Sequence, residues 1–247
     1  MSDHAVRLLS ATIVVCAASM VKGAIGFGFP LLAVPLLSAI LGPKVAIPVV
    51  AVPTLLSNFL VVRRGGAGQA AGGMWRLLAG TAVGTLAGAL LLGAVNPRLA
   101  AGLVGAVALF YVVATTLSLT LRVPATSVRR MGPAFGLAAG LMGGATGISS
   151  PLLASYLHML RLEKREFVFW ITMTFFVVNI LQIITYLRLG LYNGPVLTIA
   201  LLACAPMIIG TLGGLALQDR LEPKLFERIV LTVVVIASAN LIARSLW

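Results

Sequence analysis

Charge is what this chain of 247 residues has least of: 10% of its residues are Asp, Glu, Lys or Arg, against about 25% in an average soluble domain. Acid is scarcer still, with six Asp and Glu against 18 Lys and Arg. Cysteine and histidine number two each, with no Cys-x-x-Cys or Cys/His spacing. A disulfide framework and a dedicated metal site are therefore not expected. No Gly-Lys-Ser/Thr phosphate loop occurs, so nucleotide hydrolysis by this chain is not expected. No Asp or Glu falls inside a long apolar run, where a cation pathway or a carboxylate proton relay would need one. Two histidines and no buried acid cannot assemble a nucleophile, base and orienting group, which argues against an enzyme and leaves no cofactor implied.

What the chain has in abundance is apolar surface. Hydrophobic residues make up 60% and the mean hydropathy is +1.08. One soluble core of this size cannot hide so much. Arg76 and Arg98 bracket 21 uncharged residues, Arg98 and Arg122 bracket 23, and Glu166 and Arg188 bracket 21. As helices such runs reach about 30 Å, the thickness of the hydrocarbon core. The alternation of a spanning strand is absent from them. The expected fold is all-α and polytopic, with lipid as the solvent. The net charge of +12 reads as loop topology and not as a nucleic-acid surface, because the basic residues collect between the apolar runs. The first run lacks a small-residue cleavage signature and reads as a membrane segment.

Two segments align without gaps at an offset of 121. Lys22-Gly-Ala-Ile-Gly-Phe-Gly-Phe-Pro30-Leu-Leu-Ala33 and Gly143-Gly-Ala-Thr-Gly-Ile-Ser-Ser-Pro151-Leu-Leu-Ala154 share seven of twelve positions. The same offset pairs Lys44 with Arg165 and Asn58 with Asn179. Later, Gly80-Thr81 and Gly84 match Gly210-Thr211 and Gly214, and Asn96-Pro97 parallels Glu222-Pro223. Chance explains Leu on Leu, but not Gly, Pro and Asn in the same order. The expected organisation is a first transmembrane repeat over 1–122 and a second over 123–247.

Each half has five apolar elements: 6–24, 29–42, 45–63, 74–95 and 97–121, then 131–146, 150–161, 166–188, 194–217 and 223–245. The opening pair of each half forms an interrupted or re-entrant helical hairpin with the Gly-rich turn at its tip, followed by three spanning helices. That makes eight to ten membrane segments. An odd number of elements per half inverts the second repeat. The basic clusters at Arg63–Arg76, Arg122–Arg130, Arg161–Arg165 and Arg220–Lys224 alternate with poorer loops at Lys44, Arg98 and Arg188. Alternation holds throughout with both termini outside. Trp75, Trp170 and Trp247 lie near expected boundaries and read as interface anchors.

The candidate site follows from the turns. Pro30 and Pro151 suit the first turn of a helix, and Ser150 suits its N-cap. A helix start with uncovered N–H groups and a positive dipole end attracts anions. Two such starts entering from opposite sides can face one central cavity, a recurrent transporter arrangement. The candidate substrate-binding residues are Gly26, Gly28, Phe29, Thr146, Gly147, Ser149 and Ser150 at the turns. Asn58, Asn179 and Gln182 join them as polar groups deep in apolar helices, with Thr54 a further donor and Lys22 an intramembrane cation. The competing reading makes the glycines close-packing surfaces and the asparagines interhelical bonds.

On these residues the chain resembles the sulfite exporter TauE/SafE family, also called the toluene sulfonate uptake permease family. The Gly23–Pro30 stretch and its echo at Gly143–Pro151 carry the resemblance. The Asn of the following helix, the Gly80-Thr81 start and the Asn96-Pro97 turn add to it. The resemblance implies a bacterial inner-membrane protein of about eight helices that moves sulfite, sulfoacetate or other organosulfonates. The second turn has Thr146, Ser149 and Ser150 where the first has Ile25, Gly28 and Phe29, which implies an asymmetric site. The expected function is secondary transport of a small anion by alternating access. A passive anion channel and a non-transporting partner subunit are the alternatives. The expected partners are that anion and membrane lipid, not nucleic acid. A proton or sodium coupling ion and homo-oligomerisation stay open.

Overall fold

The computed structural model describes residues 3–25, 28–63, 71–117, 125–217 and 223–246. The described residues form eleven helices and no strands: α1 (Asp3–Ile25), α2 (Phe29–Leu41), α3 (Pro43–Val62), α4 (Ala71–Ala94), α5 (Pro97–Thr116), α6 (Ala125–Thr146), α7 (Ser150–Met159), α8 (Lys164–Arg188), α9 (Gly194–Leu202), α10 (Cys204–Leu217) and α11 (Pro223–Leu246). Starts are set by local chemistry. Asn96 and Asn193 cap α5 and α9 by accepting from Leu99 N and Val196 N, each with a proline inside the first turn.

Most expected elements appear within a few residues of their expected bounds. The element expected over 194–217 is instead two helices, broken at Ala203. Pro206 lacks an N–H, so the Leu202 carbonyl loses its partner one turn on. Ser150 is the first residue of α7 rather than its cap. Ser149 holds the cap position, but its φ of −117° and ψ of −8° are not the extended geometry that aims a side chain at the next turn, and it makes no capping bond.

Among the described residues, six spans are long and apolar enough to cross a membrane: α3, α4 from Met74, α5, α8, α9 with α10, and α11 from Arg228. The remainder are α1, α2, α6 and α7, the elements that the sequence expects to open each half. With 10 residues, α7 reaches about 15 Å, half the hydrocarbon thickness. Large apolar side chains such as Val83, Ile209, Leu212 and Ile236 point outward on the spans, each at least 60% exposed. They need lipid as their solvent, and the protein is a multi-pass membrane protein. Trp75 is 61% exposed beside Arg76, as an interface anchor would be. Trp170 departs from that expectation: it is buried edge-on against Phe169 in the cluster around Tyr156 and Leu157. Trp247 lies outside the described residues.

Glycine decides which helices meet closely. Gly80, Gly84 and Gly88 of α4 lie against the carbonyls of Pro133, Leu137 and Leu141 on α6, while Gly136, Gly140 and Gly144 of α6 lie against those of Leu77, Thr81 and Thr85 on α4. A Cβ at any of the six would collide with the partner's backbone. With little hydrophobic force between helices in lipid, such backbone approach is what holds them together. The same device joins α1 to α10 through Gly23, Gly210 and Gly214. α5 also packs on α11, and α8 packs on both α3 and α4.

Candidate functional site

The chain turns into α2 at Gly28, with φ of 99°, and leaves α6 through Gly147, with φ of 75°. Both angles lie in the left-handed region, which only glycine enters without strain. Each turn feeds a helix with proline in its first turn, which leaves no N–H to bury there. The two turns, which belong to segments that align at an offset of 121 residues, meet at one cavity of about 250 Å³.

Gly28, Phe29 and Pro30 line the cavity from one side, and Gly147, Ile148, Ser149 and Ser150 from the other. α3 adds Thr54, Asn58 and Val61, and α8 adds Lys164, Phe167, Val168, Ile171, Thr172, Phe175, Val178 and Asn179. Lys22 completes the wall from α1. Its only charged lining residues are thus Lys22 and Lys164, with no carboxylate among the described residues. Ser149 and Ser150 are buried residues, 5% and 7% exposed, and both line the cavity.

A chain of side-chain amides crosses the site. Lys22 Nζ donates to Asn58 Oδ1 at 3.4 Å, and Asn58 Nδ2 donates to Asn179 Oδ1 at 3.0 Å. Asn179 Nδ2 donates to Gln182 Oε1 at 3.0 Å, and Gln182 Nε2 to the Gly143 carbonyl at 2.6 Å. Tyr186 lies beside Gln182, and its hydroxyl donates to the Gly144 carbonyl. Asn58 and Asn179 each sit fifteen residues, about 22 Å, beyond the first residue of their helices, and they meet where α3 crosses α8.

Of the residues expected from sequence, Lys22, Gly28, Phe29, Asn58, Gly147, Ser149, Ser150 and Asn179 line this cavity, as does Thr54. Thr146 and Gln182 do not. Thr146 is buried behind the turn, where its Oγ1 donates to Met142 O and accepts from Ile148 N. Gln182 is buried one layer behind Asn179. Gly26 lies outside the described residues, as do the loop arginines Arg64, Arg122 and Arg220. Lys164 and Thr172 were missed from sequence. Lys164 opens α8 and was counted only as a loop charge; its position 15 residues before Asn179 on the same helix was the available signal.

At the opposite end of the bundle, side chains tie helix ends to one another. Lys44 Nζ donates to Gly93 O at 3.0 Å, Tyr192 OH to Pro48 O at 2.7 Å, and Arg244 Nη1 to Ala39 O at 2.9 Å. These bonds join the start of α3 to the end of α4 and to the α8–α9 connection, and the end of α2 to the end of α11.

The family model described as "Sulfite exporter TauE/SafE" matches residues 11–241. No match is found among curated proteins or among solved structures. With that match running over nearly its whole length, the chain belongs to the sulfite exporter TauE/SafE family of membrane transporters.

Proposed function

We propose that this TauE/SafE chain is a secondary transporter of a small sulfur-containing anion, sulfite or an organosulfonate such as sulfoacetate, bound between the two Gly-to-Pro turns. The observation that carries this reading is the wall of the cavity. Two lysines, two buried serines and two helix starts line a space with no carboxylate among the described residues. Ammonium, hydroxyl and helix-start N–H groups all donate, and together they replace the hydration shell of an oxyanion. The apolar wall of Phe167, Val168, Ile171 and Phe175 leaves room for the carbon body of an organosulfonate.

The chain is built from two inverted halves, 1–122 and 123–247. The reciprocal packing supports this reading: the first helix of each half lies on the fourth element of the other, α1 on α10 and α6 on α4. The third elements, α3 and α8, meet each other, as do the fifth, α5 and α11. Alternating access follows from one half moving against the other. The present conformation is closed at the end tied by Lys44, Tyr192 and Arg244, and the cavity extends toward Lys164 at the other. The alternation of basic loops supports Lys164 on the cytoplasmic side of a bacterial inner membrane, an inward-facing state and periplasmic termini.

The test is a thermal-shift screen of the purified chain with sulfite, sulfate, thiosulfate, taurine, sulfoacetate and carboxylates. At least one sulfur anion is expected to stabilise the protein. Asn179→Ala and Ser150→Ala are expected to weaken that shift while inserting normally. An unchanged shift in both variants sinks the site.

A further inference from the structure

The amide chain has a direction, and both of its ends impose the same one. At one end Lys22 Nζ can only donate. At the other the Gly143 carbonyl can only accept. The carbonyl therefore fixes the Gln182 NH2 toward itself, which aims Gln182 Oε1 at Asn179, Asn179 Oδ1 at Asn58, and Asn58 Oδ1 at Lys22. Reversing any one amide would set oxygen against oxygen or NH2 against NH2 somewhere along the chain.

Lys22 and Gly143 are equivalent positions at the offset of 121. The chain thus runs between matching points of the two halves that carry opposite chemistry. Gln182 is locked further by its neighbour. Its NH2 faces both the Gly143 carbonyl and the Tyr186 hydroxyl, and Tyr186 is itself anchored on the Gly144 carbonyl. Both side chains are at most 1% exposed and neither lines the cavity.

We propose that Gln182 and Tyr186 are positioning residues that set the donor polarity of the anion site. Asn58 and Asn179 line the cavity, and each NH2 spends one hydrogen on the chain. The Asn58 oxygen is occupied by Lys22 and the Asn179 oxygen by Asn58, so the second N–H of each amide is what remains to meet substrate. An amide free to rotate would present its oxygen as often as its nitrogen, and an oxygen repels an anion. Gln182 holds Asn179, and through it Asn58, in the donating orientation. The inference rests on the anion-site reading above, with Asn179 as the residue that touches substrate.

A double-mutant cycle on the purified full-length chain tests this, with Kd for sulfoacetate and sulfite read by titration. Asn179→Ala is expected to weaken binding about tenfold, the order expected for a hydrogen bond to a charged group. Gln182→Met, of similar length but without hydrogen-bonding groups, is expected to weaken it several-fold. In the Asn179→Ala background Gln182→Met is expected to have no further effect, because Gln182 acts only through that amide. Multiplying effects would mean that Gln182 merely supports the fold, and would overturn the proposal. So would an unchanged Kd in Gln182→Met while Asn179→Ala weakens binding. An unchanged Kd in Asn179→Ala would overturn the site itself and this proposal with it. Should Gln182→Met fail to insert, Tyr186→Phe, which removes a single oxygen, is read in the same cycle. A smaller loss, absent in the Asn179→Ala background, is expected, and an unchanged Kd overturns the proposal.

Discussion

Replacing Lys22 by Met removes the one cation next to the amide chain while keeping an unbranched stem of similar length. Two opposite unit charges about 4 Å apart attract by roughly 4 kcal/mol at an effective dielectric constant of about 20. Desolvation of both ions offsets part of this, and measured hydrogen bonds to charged groups net about 1.5–3 kcal/mol. At about 1.4 kcal/mol per decade, Lys22→Met should weaken anion binding roughly 10- to 100-fold. The loss has two sources: the ammonium is gone, and Asn58 Oδ1 loses its donor and offers lone pairs to the cavity. Lys22→Arg keeps charge and donors and should recover much of the affinity. Titration calorimetry with sulfoacetate on the detergent-purified chain reads the effect, with thermal melting as the check on folding. A folded Lys22→Met protein whose Kd moves less than threefold would refute the reasoning, because among the described residues of α1–α3 no other cation lines the cavity.

Gly84→Val should destabilise the α4–α6 pair by about 1–3 kcal/mol, the usual cost of overpacking, since its Cβ meets the Leu137 carbonyl; a melting temperature equal to that of the parent would contradict the packing. Lys44→Met removes the bond to Gly93 O and should favour the outward-open state, raising labelling of an introduced cysteine at Thr54 by an impermeant reagent from the periplasmic side; unchanged accessibility would show that this bond does not hold the closure. Lys164→Gln should slow substrate entry from the cytoplasmic side and flatten its salt dependence while changing the bound-state affinity less than Lys22→Met does; an effect on Kd equal to that of Lys22→Met would place Lys164 in direct contact with the anion.

Much of the architecture was legible because membrane residence and depth are written in charge. The runs between Arg76, Arg98 and Arg122 gave the spans, and the offset of 121 singled out two turns and two asparagines that the fold brings together. What charge spacing does not encode is azimuth, the side of a helix on which a residue lies. Lys164 looked like any loop lysine until α8 turned it into the cavity, and Trp170 looked like an anchor until the same helix turned it inward. Gln182 read as a ligand because it is polar at depth, yet it lies one turn behind the lining. The polarity of the amide chain depends on a backbone carbonyl on another helix, Gly143, which no side-chain pattern announces. The glycines served in both ways that sequence left open. Those at Gly28 and Gly147 turn the chain, whereas Gly80, Gly84 and Gly140 let helices touch.

The most direct measurement is counterflow of radiolabelled sulfite and sulfoacetate in proteoliposomes containing only this protein. Saturable uptake of at least one of the two, accelerated by unlabelled substrate inside and abolished or strongly reduced in the Asn179→Ala variant, is the expected result. Flux that stays linear with concentration and ignores internal substrate would mean a channel. No flux of either anion, in protein that is folded and inserted, would contradict a sulfur-anion carrier built around the two turns.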